Sequence, residues 1–231
     1  MRNNVLKWLR LLAVVVMALP AFAAQPAAAQ PNCRTFTATA KTVCDKFLGY
    51  WDNNGGLAQQ GFPITEVLSE VSDTDGKIYT VQYFERAVFE LHPEFAGTEN
   101  EVLLQLLGVY FWQRRYPTGA PNQIPNAEPG ARTYSQTGKV LGGTFQRYWD
   151  SHGGLRQQGF PISNEFIEVN DLDGKPYRVQ YFERAVFEYH PEFAGTVNEV
   201  LLSQVGTFAE RIRHAAPTPP TQPPALPTAT T

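Results

Sequence analysis

Apolar positions in this chain come in short bursts whose period switches between that of a helix and that of a strand. Val43, Phe47, Tyr50 and Trp51 fall at i, i+4, i+7 and i+8, and Leu141, Phe145, Tyr148 and Trp149 do the same, so each set predicts one buried helical face. Gly55-Gly56 and Gly153-Gly154 follow and are expected to end those helices, because glycine accepts the left-handed conformation at a C-terminus. The GFPI segments, Gly61 to Ile64 and Gly159 to Ile162, read as turns, and an extended stretch then runs to about Val71 and Val169. Asp75-Gly76 and Asp173-Gly174 carry the dipeptide of tight type I′ hairpins. Strands rich in Tyr, Val and Phe are predicted over 78–84 and 88–92, with Glu85-Arg86 at a second turn. Thr98 with Glu101, and Thr196 with Glu199, have capping-box spacing, which predicts a closing helix whose apolar face begins at Val102, Leu103, Leu106 and Leu107.

The two halves of that pattern are one module written twice. Residues 47–108 recur at 145–206 at a constant offset of 98, with 43 of the 62 positions identical. Any property proposed for one copy must therefore be sought in the other. The fold class expected is α+β: two tandem homologous modules, each a small antiparallel sheet flanked by helices. Module 1 is placed at 33–115 and module 2 at 131–214, separated by a Pro-rich linker at 116–130 in which Pro117, Pro121, Pro125 and Pro129 recur. Modules tethered in that way are expected to grip a repetitive polymer at two points, with an avidity gain of about 10² to 10⁴. Residues 215–231 hold Pro, Thr and Ala without charge and are expected to be a disordered tail, either a stalk or a plain terminus.

The first residues change the expected address of the molecule. Arg2, Lys7 and Arg10 precede the apolar run Leu11 to Leu19, and small residues offer cleavage after Ala23 or Ala29, so residues 1–29 read as a secretory signal peptide. No later stretch is apolar enough to span a bilayer, and the expected location is secreted or associated with the cell envelope. The leader holds three of the 19 basic residues, leaving 16 against 22 acidic ones. A mildly acidic chain without clustered Lys and Arg is not expected to bind nucleic acid. Cys33 and Cys44, the only two cysteines, are expected to form a disulfide in an exported protein. Their counterparts in module 2 are Ala131 and Gly142, so the bridge is an addition to the fold and not a requirement of it.

Candidate chemistry is sparse. Glu85, Arg86, Glu90, His92 and Glu94, repeated as Glu183, Arg184, Glu188, His190 and Glu192, hold the carboxylates an acid–base pair needs, but without the helix-borne ligand spacing of a metal site. The Asp73-x-Asp75-Gly76 run lacks an acid at Val71, where a calcium loop requires one, and reads as a hairpin. Trp51 and Trp149 are read as core in units this small. The combination GGLxQQGFPI, a D-G turn and QYFERAVFE resembles the LGFP repeat family over most of each module. That resemblance implies an exported bacterial envelope protein, non-catalytic and without cofactor or metal, that binds a cell-wall or surface polysaccharide or docks another envelope protein. The polar residues shared by both copies, Gln60, Gln82, Glu85 and Arg86 with Gln158, Gln180, Glu183 and Arg184, are the candidate ligand-binding set. Two rival readings stand beside it: a small glycan or peptide hydrolase using the FERAVFE carboxylates, and a structural spacer.

Overall fold

The computed structural model describes residues 31–215, so the leader and the tail beyond Ala215 lie outside the described residues. Module 1 opens with a hairpin of β1 (Cys33–Phe36) and β2 (Lys41–Cys44), followed by α1 (Asp45–Asn53) and the short α2 (Gly56–Gln60). A four-stranded antiparallel meander comes next: β3 (Leu68–Val71), β4 (Ile78–Tyr83), β5 (Val88–Leu91) and β6 (Val102–Leu104). Helix α3 (Leu107–Arg115) closes the module. Module 2 repeats the order with β7 (Arg132–Tyr134), β8 (Lys139–Leu141), α4 (Gly143–Ser151) and α5 (Gly154–Gln158). Its sheet is β9 (Phe166–Val169), β10 (Pro176–Tyr181), β11 (Val186–Tyr189) and β12 (Val200–Leu202), and α6 (Val205–Arg213) ends it. The α+β reading of two tandem copies holds, and each copy has a two-stranded hairpin sheet in addition to its four-stranded sheet.

Three local expectations change. Val102–Leu104 is a strand paired with β5, not the first turn of a helix. Thr98 Oγ1 donates to Phe95 O and accepts from Asn100 N, while Glu101 pairs with Lys46 at 2.8 Å, so the apparent capping box is a loop motif. The D-G hairpins are longer than two residues: Ser72 N donates to Lys77 O across the turn, with Gly76 at φ +73°. The double glycine does more than stop α1. Gly55 and Gly56 (φ +86° and +49°) turn the chain into α2, and a Cβ on Gly56 would press against the Trp51 ring at 3.2 Å.

Strand alternation gives each sheet two apolar faces. On one, Phe84 and Phe89 stack at 4.1 Å, and Phe89 meets Phe47 and Tyr50 of α1 edge-on at 5.9 and 4.9 Å. The other face, Tyr79, Val81, Tyr83 and Val88, joins Tyr177, Val179, Tyr181 and Val186 of the second sheet in a single core that also takes Leu107, Phe111, Val205 and Ala209. The closing helices are exchanged: α3 packs on β10 of module 2, and α6 on β4 of module 1. Gly108 permits this, since a Cβ there would sit 1.8 Å from Phe182 O; at Gly206 the distance to Phe84 O is 1.9 Å. Val109 N donates to Glu183 O and Thr207 N to Glu85 O, both at 3.1 Å, fixing the two crossings symmetrically. Burial of Leu107 and Phe111 contributes about 1.5–3 kcal/mol each, and that gain exists only between modules.

The exchange overturns the picture of two beads on a tether. The 116–130 segment is an ordered strap along the edge of module 2: Ile124 N donates to Glu165 O at 2.8 Å, Asn126 Nδ2 to Glu165 Oε1 at 2.8 Å, and Gln123 Oε1 accepts from Asn164 N at 3.0 Å. Spacing between equivalent surfaces of the two modules is therefore set by a shared core and not by linker length, which removes the basis of the avidity estimate.

Candidate functional site

The polar residues common to both copies converge where the modules meet. Helices α2 and α5 bury Gln59, Gln60, Gln157 and Gln158. Gln158 Nε2 donates to Gln59 Oε1 at 2.7 Å and Gln60 Nε2 to Gln157 Oε1 at 3.1 Å, linking the copies directly. Gln59 also donates to the Tyr148 hydroxyl at 2.6 Å, and Gln157 to the Tyr50 hydroxyl at 2.8 Å. Gln60 and Gln158 donate back to the carbonyls of Asn54 and His152, at 2.8 and 2.9 Å. Burial pushes the Tyr148 hydroxyl up to about 12 and raises that of Tyr50, so both stay neutral within the ring of amides. Removing one member strands its partners without water, a cost of about 1–3 kcal/mol.

The remaining candidates brace the turns. Gln82 Nε2 donates to the carbonyls of Thr42 and Thr65 (2.8 and 3.0 Å), and Gln180 Nε2 to those of Val140 and Ser163 (2.8 and 2.9 Å); both residues are fully buried. Glu85 Oε2 accepts from Phe62 N and Glu183 Oε2 from Phe160 N, each at 3.0 Å. A Cβ on Gly61 would fall 2.5 Å from the Glu85 Cβ, so the GFPI turn and the FER turn touch through a glycine. Arg86 donates to Leu57 O at 3.1 Å and, across the seam, to Leu202 O at 3.3 Å; Arg184 donates to Leu155 O at 3.3 Å. Of the eight candidates, Gln60, Gln82, Gln158 and Gln180 are enclosed, whereas Glu85, Arg86, Glu183 and Arg184 keep a partly exposed edge of 20–30%.

The Glu183 and Arg184 part of that edge opens on a trough. A cleft of about 500 Å³ is lined by Tyr50, Asn100 and Leu103 of module 1 and by Leu155, Phe160 and Arg184 of module 2. A second depression of about 410 Å³ shares Tyr50, Glu99, Val102 and Arg156 with it and extends to Asn53 and Lys46. Arg156 pairs with Glu99 over their common wall. Gln59, Gln157, Tyr50, Asn100 and Arg156 lie at the seam or line the trough and are absent from the candidate set. The recurrence of Gln59 and the change of Ala58 to Arg156 were the available signals.

The carboxylate cluster is organised differently. Glu90 is buried, and His92 lies between Glu90 (3.4 Å) and Glu94 (3.0 Å) with its ring against Tyr79 at 4.1 Å. The Tyr79 hydroxyl donates to Asp75 and Glu94, both at 2.9 Å. Hydrogen bonds from His92 and His190 hold Glu94 and Glu192 below the usual carboxylate range, while Lys77, through its backbone N–H and its ammonium, holds Asp75 at about 2. Glu188 is raised, chiefly by burial. Trp51 is half-buried beside Phe36 at 5.0 Å, with its indole N–H donating to Gly61 O at 2.9 Å. Cys33 and Cys44 form the expected disulfide, directly opposite one another across β1 and β2. Among the described residues no helix is long and apolar enough to cross a membrane. Comparison with protein-family models, with curated proteins and with solved structures gave no match.

Proposed function

We propose that this protein is a non-catalytic exported component of the cell envelope that binds a wall or surface polysaccharide in the trough between its modules. The observation that carries this reading is the lining of the trough. Leu103, Leu155 and Phe160 offer apolar and aromatic surface, and Asn100, Arg156 and Arg184 offer a few donors along its length. That mixture suits a sugar ring, which presents an apolar face and a polar rim. The acids that a hydrolase would need are either buried or hydrogen-bonded to the turn they brace. The disulfide fits an extracytoplasmic address, and the LGFP resemblance supplies the envelope context.

Co-sedimentation of the full chain with isolated wall polymer tests the reading. Wild type is expected to sediment, and the pair of substitutions Asn100→Ala and Arg156→Ala to weaken binding about tenfold, equivalent to about 1.4 kcal/mol. Failure of wild type to bind any wall fraction would refute it. Turnover of peptidoglycan by wild type that is lost in Glu85→Gln/Glu183→Gln would establish the hydrolase instead.

A further inference from the structure

The exchanged helices create a surface that occurs once per chain. Beyond Gly108 and Gly206 the closing helices diverge until Arg115 and Arg213, which are again identical: Tyr110, Gln113 and Arg114 stand where α6 has Phe208, Arg211 and Ile212. Because α3 and α6 pack on each other, these unlike residues meet on one face. Two adjacent hollows share Arg114 as their common wall. One, of about 560 Å³, reaches from Arg114 past Tyr110 and Gln105 to Arg213 and the Ser72–Thr74 hairpin. The other, of about 350 Å³, is floored by Phe111, Phe208 and Ile212 and edged by Arg114, Arg115 and Arg211.

Charge on this face runs against that of the molecule. The two hollows hold four arginines against two acids, Asp73 and Asp171, in a chain of net charge −3. Both acids are engaged: Asp73 with Arg213 at 2.5 Å, and Asp171 with Arg115. Those two arginines also anchor the exchange, Arg115 on Glu168 at 2.9 Å and Arg213 on the Tyr83 hydroxyl at 3.0 Å. Arg114 and Arg211 have no carboxylate partner among the described residues, one coming from each module. Their place in the last turns of α3 and α6 complements the helix dipoles, but that partial charge is shared with Arg115 and Arg213. Arg114 is also held in place, its guanidinium 4.2 Å from the centre of the Tyr110 ring, and Arg213 lies 4.8 Å from the same ring.

We infer that the α3–α6 face is an anion-binding site for a carboxylate- or phosphate-bearing polymer, with Arg114 and Arg211 as its charged contacts and Phe111, Phe208 and Ile212 as its apolar floor. Planar guanidinium forks suit either oxyanion. The site requires both modules, because neither copy alone supplies both arginines. It does not depend on the seam trough.

Affinity electrophoresis of the full chain in gels containing polygalacturonate, a poly(glycerol phosphate) or neutral dextran tests it. At least one anionic polymer is expected to retard wild type, and whether the carboxylate or the phosphate polymer does so names the source. Arg114→Gln/Arg211→Gln should weaken that retardation about tenfold and lower its salt dependence, while Lys139→Gln/Arg147→Gln on β8 and α4 removes an equal charge elsewhere and should change it less than about twofold. Thermal melts of both variants should match wild type, since Arg114 and Arg211 lie on the exposed side of their helices. The inference is overturned if neither anionic polymer retards the protein, if dextran retards it equally, or if Lys139→Gln/Arg147→Gln is as damaging as Arg114→Gln/Arg211→Gln. Asn100→Ala/Arg156→Ala acts only at the trough, so loss there with the anion response intact separates the failure of one site from that of the other.

Discussion

Module 1 carries a disulfide where module 2 places Ala131 against Gly142, and module 2 carries an edge strap and an Arg178–Glu165 ion pair where module 1 has Thr80 and Val67. Arg156 of module 2 reaches Glu99 of module 1, whereas the equivalent positions, Ala58 and Val197, carry no charge. Position 45 shows the same freedom: Asp45 takes the left-handed conformation that Gly143 takes in module 2. The seam behaves in the opposite way. Gln59, Gln60, Glu85, Arg86 and the closing-helix glycine are identical in both copies, and each contacts the other module or braces a turn that does. The seam glutamines, the Glu-Arg turn and the crossing glycine are retained, while the disulfide, the strap and the ion pairs named above differ between the copies.

Separating the halves is the strongest way to break this comparison. Residues 31–117 and 118–215 produced apart each lose the exchanged helix that covers their sheet, a deficit expected to exceed about 5 kcal/mol and so to consume ordinary domain stability. Neither fragment should melt cooperatively as a monomer, and mixing the two, or self-pairing of one, should restore a cooperative melt. A monomeric half as stable as the full chain would refute the exchange. Next in size, Gly108→Ala or Gly206→Ala sets a methyl against the opposing backbone and should cost about 3 kcal/mol by denaturant midpoint. Gly49→Ala, inside α1 with nothing within 4 Å of its added carbon, should instead gain about 0.5–1 kcal/mol.

These glycines also show where the sequence was legible. The repeat period, α1 and the central strands follow from local apolar spacing, as the burial of Phe47, Tyr50, Val81 and Tyr83 bears out. Val102–Leu104 was misread because three apolar residues carry no period, and its partner β5 lies across a loop. The destination of α3 was invisible for a different reason. A helix whose apolar face fits either of two related sheets gives no local sign of which one it covers, and Gly108 was the one trace of a close crossing. The recurrent glutamines, arginines and acids stand out in the sequence as a candidate ligand-binding set, but recurrence alone does not separate a seam from a ligand site.

Smaller effects sharpen the contrast between copies. Cys33→Ser/Cys44→Ser should lower stability by about 2–3 kcal/mol in the loop-entropy model. Because the modules share a core, a single calorimetric transition should shift as one, and its splitting into two would contradict the shared core. Glu188 has the least effect. Burial raises its folded pKa above the unfolded value, so its contribution is complete below the unfolded carboxylate range and is lost as pH rises through the folded pKa. Its neighbours Asn170, Ser203 and His190 favour the charged form and limit the shift. Glu188→Gln should therefore have a higher melting temperature than wild type at pH 7 and lose that advantage near pH 3; a constant difference across that range would argue against burial as the cause.

The crossed helices also set a timetable for biosynthesis. When a growing chain has reached Arg115, the Tyr79, Val81 and Tyr83 side chains of one sheet face have all been made, but α6, which covers that face, begins only at Val205. At about 5–20 residues per second, that surface waits roughly 5 to 20 s for its cover. During that interval the emerging first half presents a tyrosine-rich ledge to any neighbour able to mimic α6. The nearest such mimic is α3 of another incomplete copy, so crowding of copies that are still emerging should favour intertwined pairs of chains over correctly closed single ones.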